Sequence, residues 1–146
     1  MISMVGLHHE YERQSILSEW RRVIKQNGQL FIAEVEEGSK VAVFLNGFVN
    51  RYNPIGHHGL FIDDTFLEET KSAGWQIVRS ERTNSRWHFS DLASASRYFR
   101  LLFDLRLADD DTIINAIKQE FDVYEETNRV SIGWPLRQLH LELACT

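Results

Sequence analysis

The first 35 residues constrain this chain most, because they read as strand, helix and strand with tight joints. Ile2 to Leu7 is a short apolar run bounded by polar residues, the pattern of a strand buried on both faces. From Tyr11 to Gln26, Ile16, Leu17, Trp20, Val23 and Ile24 recur three and four apart. Glu12, Arg13, Glu19, Arg21, Arg22 and Lys25 mostly take the other face, which predicts an amphipathic helix. Its acidic start and basic end suit the helix dipole, and Gly28 is expected as a left-handed cap. Leu30 to Val35 is the next strand, so the opening block predicts the crossover unit of a parallel sheet and an α/β fold.

The rhythm then breaks. Glu36 to Asp64 carries several glycines and asparagines around an apolar patch from Val41 to Val49, which reads as a short helix or strand between long loops. Phe66, Leu67 and Ala73 share a face of the next helix, with Asp63 or Asp64 as its N-cap and Gly74 closing it. Trp75 to Val78 is a third strand, followed by a polar, solvated stretch from Arg79 to Asn84. Helical spacing resumes over Asp91 to Leu102, with Ser90 as cap, and over Asp109 to Phe121. Pro135 divides the final apolar run, so the last strand is expected over Leu136 to Leu143.

A chain of 146 residues, 43% apolar, supports one ordinary core, and no linker or repeat divides it, so one domain over 1–146 is expected. A net charge of −5 with no basic run argues against a nucleic-acid groove, which needs dense positive charge to displace counterions from phosphates. The apolar start is too short for a signal peptide or a membrane span, so no membrane partner is expected. Cys145 is the single cysteine, which excludes an intramolecular disulfide and points to the cytoplasm.

The block EWRRVIKQNGQLFIAEV, with the apolar run before it, resembles the fourth strand, following helix and fifth strand of class I S-adenosylmethionine-dependent methyltransferases. Arg22 to Gly28 match that family's arginine, aliphatic pair and Lys-Pro-Gly-Gly turn, without the proline and the first glycine. FIDDTFLEETKSAGWQIVRSE resembles the family's next helix and sixth strand, and WPLRQLHLELA its closing antiparallel strand. More narrowly, Trp87, Leu101 to Asp104 and Trp134 to Leu136 resemble the small-molecule branch that includes the malonyl carrier-protein methyltransferase of biotin synthesis. The resemblance implies a partial Rossmann-like methyltransferase sheet, mostly parallel with an antiparallel final strand and lacking the first three strands. The glycine-rich turn and acidic strand end that grip the donor in that family have no counterpart here. Ile2 to Leu7 is therefore expected to leave one edge bare, inviting a second copy or a companion amino-terminal half.

His8 and His9 follow the first strand at its carboxyl end, where open parallel sheets place their ligand crevice, so either is a candidate to orient a substrate or accept a proton. The resemblance sets Leu7 and His8 beside the methyl donor, S-adenosylmethionine, and sets Tyr52, His57 and His58 at the pocket for a small-molecule acceptor. Trp87 offers an aromatic plane that closes over an acceptor or packs into the core. Adjacent histidines turn their rings apart and no carboxylate stands at a motif spacing, so no metal is expected. Glu34 and Glu36 read as solvated carboxylates at the end of the second strand. Methyl transfer needs little side-chain chemistry, so the expected function is donor-dependent methyl transfer by a completed protein. The alternative is a scaffold that binds a partner without catalysis.

Overall fold

The computed structural model describes residues 1–144; Cys145, and with it the cysteine reading, lies outside them, as does Thr146. In chain order the elements begin with β1 (Ile2–Met4), α1 (Arg13–Val23) and β2 (Gln29–Glu34). There follow α2 (Lys40–Val43), a π-helical turn (Phe44–Val49), α3 (Asn50–Tyr52), α4 (Asp64–Ser72), β3 (Trp75–Arg82) and β4 (Arg86–Phe89). The remainder comprises α5 (Leu92–Leu102), α6 (Asp110–Glu120), β5 (Val123–Glu126), β6 (Arg129–Gly133) and β7 (Arg137–Leu143). These elements sort into two compact units, one of 1–37, 60–83 and the chain from 136 on, the other of 38–59 and 84–135.

The first unit is a four-stranded sheet in the order β1-β2-β7-β3. β1 and β2 run parallel and β7 runs antiparallel to both β2 and β3, so three strands share a direction and the last in sequence is reversed. Alternation along each strand puts Leu30, Ile32, Leu139 and Leu141 on one face, in register as Leu30 with Leu141 and Ile32 with Leu139. α1 and α4 cover that face through Leu17 and Phe66, and each such side chain contributes roughly 1.5–3 kcal/mol by leaving water. The buried Trp75 indole donates to the Leu17 carbonyl at 2.9 Å, which ties β3 to α1.

Several expectations are corrected here. β1 ends at Met4, with Ile2 and Met4 exposed, because it is the outer strand of this sheet and is not buried on both faces. Gly28 does not adopt the left-handed region. Its amide donates to the Lys25 carbonyl at 2.7 Å, and a Cβ would sit 2.4 Å from Ile24 Cγ1, so close approach is what requires glycine. Gly74, at φ +84, is a left-handed helix end. Arg79 to Arg82 continue β3 and are not loop, since β7 pairs with them beyond an irregularity between Ile77 and Arg79. Asp63 caps α4 by accepting from the Phe66 amide at 2.8 Å.

The second unit resolves what the sequence left open between Glu36 and Asp64. α2, the π turn and α3 form a continuous helical run over 40–52, capped by Ser39, whose hydroxyl accepts from the Ala42 amide. A three-stranded antiparallel sheet, β4-β6-β5, is not among the elements expected from the sequence. Its core is aromatic: Phe44, Phe99, Phe121 and Trp134 are buried, with ring centroids 4.9 Å apart for Phe44 and Phe121 and 5.3 Å for Phe121 and Trp134. Asp91 and not Ser90 caps α5, accepting from the Ser94 amide, and Asp109 caps α6. No described helix is long and apolar enough to cross a membrane.

Candidate functional site

At the end of β1 the chain turns sharply. Val5 adopts φ +49, a left-handed conformation that strains a β-branched residue by roughly 1–3 kcal/mol, and its amide still pairs with the Ala33 carbonyl of β2 at 2.9 Å. The turn brings the amides of Gly6 and Leu7 onto Glu34, the last residue of β2, whose Oε1 accepts from them at 2.5 and 2.6 Å. Glu34 Oε2 lies 2.8 Å from His8 Nδ1 and accepts from the Val35 amide at 3.3 Å. Glu34 is 2% exposed and His8 4%, so this is a buried carboxylate–imidazole pair and not a solvated carboxylate as its place at a strand end suggests. Its parity gives it away: Leu30, Ile32 and Glu34 alternate onto the same face of β2.

Burial by itself pushes the Glu34 carboxyl upward, but the His8 hydrogen bond and charge and the Leu7 and Gly6 amides outweigh it and hold the group below its usual range. An ionised carboxylate only accepts, so His8 Nδ1 carries a proton toward it. His9 follows His8 in a 3-10 turn over Leu7–His9, exposed, with its ring centroid 4.0 Å from that of His8, so the two rings lie side by side and are not turned apart as expected. Partial burial, and then the charge of His8, depress the His9 imidazole below 6.5. Leu7 packs into the core at 5% exposure.

A second buried charge holds the segment beside this pair. Arg13, expected on the solvent face of α1, is 7% exposed. Its Nη1 donates to the carbonyls of Leu60 and Phe61 at 3.2 and 3.3 Å, and its Nε lies 3.3 Å from Glu69 Oε2. The Leu60 amide in turn donates to the His8 carbonyl at 2.8 Å. The fixed arginine thus steadies the backbone on which the His8 turn rests.

The remaining candidates lie in the second unit. Tyr52 is half-buried, its ring 4.6 Å from Phe48, and it lines a groove of about 540 Å³ together with Arg51, Asn115 and Gln119. His57 is half-buried; its Nδ1 lies 3.1 Å from Asn46 Oδ1 and its amide donates to Asn50 Oδ1. His58 is exposed. Trp87 sits on β4, half-buried, stacked on Trp134 with centroids 4.0 Å apart and meeting Phe99 edge-on, so its ring packs against the aromatic core. The structure therefore joins Leu7, His8 and His9 around Glu34, whereas neither His57, His58 nor Trp87 lines the Tyr52 groove.

No family model matches the sequence and no curated protein matches it. Solved structures do. A candidate methyltransferase from Bacillus halodurans aligns with 99% of this chain at 20% identity and a TM-score of 0.59, this chain spanning 68% of it. The YcgJ protein from Bacillus subtilis aligns with 99% at 13% identity and 0.54, this chain spanning 64% of it. The 4+2 cyclase SpnF aligns with 99% at 16% identity and 0.52, this chain spanning 49% of it. What these proteins share with the chain is the fold: a mixed sheet of the Rossmann-like methyltransferase type, in part.

Proposed function

We infer that this chain is the acceptor-side portion of an S-adenosylmethionine-dependent methyltransferase, acting on a small-molecule or carrier-bound acceptor when completed by the amino-terminal half that grips the donor. The observation that supports this reading is the sheet order β1-β2-β7-β3 with β7 reversed, in a chain that aligns over 99% of its length with a candidate methyltransferase. The donor brings a methyl group already activated on sulfur, which leaves the protein to align the acceptor and dispose of its proton. His8, held by Glu34, is the group suited to that proton, with His9 beside it. Tyr52, His57 and His58 are assigned to the acceptor side, whereas Trp87 serves packing.

The residues of the β1 turn do not fit the donor by themselves. The Gly6 and Leu7 amides that would cradle an anionic group are spent on Glu34, and the Leu7 side chain lies in the core. Gripping the donor falls to the amino-terminal half of such a fold. A second reading, a partner-binding scaffold without catalysis, is favoured by the sheet face opposite α1 and α4. There Ile2, Met4 and Phe31 are 75%, 66% and 43% exposed and border a groove of about 290 Å³. A second copy and a companion half are the two partners that reading offers.

The test is a fusion that places ahead of Met1 the part of the Bacillus halodurans protein lying outside the match. With methyl-labelled donor and a small-molecule cell extract, the methyltransferase reading expects label to enter the extract, and expects His8→Ala to reduce it. A folded, donor-binding fusion that labels nothing leaves the scaffold reading in place.

A further inference from the structure

Glu34 is gripped from both sides. One carboxylate oxygen takes the two amides of the β1 turn and the other faces His8 Nδ1, so the group has a fixed orientation and a fixed division of labour between its oxygens. We propose that Glu34 is a positioning residue that fixes His8 as the Nδ1–H tautomer, making Nε2 the proton-accepting nitrogen of the site. For the source of that proton the inference rests on the methyl-transfer reading; for the tautomer it rests on geometry alone. In the step it serves, an O–H or N–H bond of the acceptor breaks and its electron pair stays on the acceptor atom. A new N–H bond forms at Nε2, and the ring cation keeps its Nδ1–H directed at Glu34 Oε2.

The arrangement makes a directional prediction. In Glu34→Gln the single carbonyl oxygen is held by the two short bonds from the Gly6 and Leu7 amides, against one longer bond from the Val35 amide to the other oxygen, so the amide NH2 group faces His8 Nδ1. Nδ1 must then accept, and the ring proton moves to Nε2. A substitution that conserves shape thus reverses the base.

The test is nitrogen-15 NMR of the full chain, with long-range proton correlations of the His8 ring at a pH where it is neutral. The expected result is a pyrrole-type Nδ1 and a pyridine-type Nε2 in the native chain, with the two shifts exchanged in E34Q. A native ring protonated on Nε2, or an E34Q ring that keeps its proton on Nδ1, overturns the proposal. Should E34Q fail to fold, the native chain decides: a slowly exchanging, downfield Nδ1 proton supports the pairing and its absence refutes it. Because neither donor nor acceptor is present, a wrong tautomer defeats the positioning role without touching methyl transfer. A correct tautomer in a folded, donor-binding fusion that transfers nothing defeats methyl transfer alone.

Discussion

Replacing Glu34 by alanine removes the acceptor for the Gly6 and Leu7 amides and for His8 Nδ1 at once. The Leu7 and His8 groups are buried, and a buried donor left without a partner costs about 1–3 kcal/mol, so these two alone cost about 2–6 kcal/mol. That is a large part of the roughly 5–15 kcal/mol that holds a domain together. Urea unfolding followed by tryptophan fluorescence reads the loss, because Trp75 is buried in the core of the same unit. Glu36→Ala is the control. Glu36 lies two residues on, but its carboxylate is partly exposed and pairs with Arg82 and Arg137 near the surface, where ion pairs contribute little. A Glu34→Ala variant within about 0.5 kcal/mol of the native chain would refute the claim that this carboxylate organises the turn.

Acid titration follows the same pair. The folded carboxyl of Glu34 sits below its usual 4.5, so its contribution is complete above that value and fades as pH falls through the lowered one; Glu34→Gln should flatten this limb of a stability–pH curve. His9 is depressed below 6.5, so stability also falls as pH drops from 6.5 toward its folded value, and His9→Asn should remove that step. Asp63→Ala should cost about 1 kcal/mol by uncapping α4, measured by the same urea titration, while Asp64→Ala should leave the cap intact. Gly74→Ala meets both a left-handed backbone and Arg21 Nε at 2.6 Å, so it should lower stability by at least about 1 kcal/mol; an unchanged urea midpoint would contradict the geometry.

Periodicity made the first unit legible. Leu17, Trp20 and Ile24 on one side of α1, and the apolar runs that became β1 and β2, carry their own spacing, and tight joints leave a parallel crossover as the simplest connection. The resemblance added the reversed last strand, which pairing of β7 with both β2 and β3 bears out. The second unit was opaque for a physical reason. Its strands are short and half polar, and its core is assembled from Phe44, Phe99, Phe121 and Trp134, which lie far apart in sequence and meet only through tertiary packing. The site was half legible: His8 stood out by position, whereas Glu34 looked like a strand-end carboxylate. Its partner amides come from a turn whose left-handed Val5 no sequence rule anticipates.

Calorimetric titration of S-adenosylmethionine into the chain alone and into the fusion described above tests the account most directly. It predicts no measurable heat of binding for the chain, whose β1 amides are committed to Glu34, and saturable binding for the fusion. Micromolar binding by the chain alone, or none by a folded fusion, would contradict it.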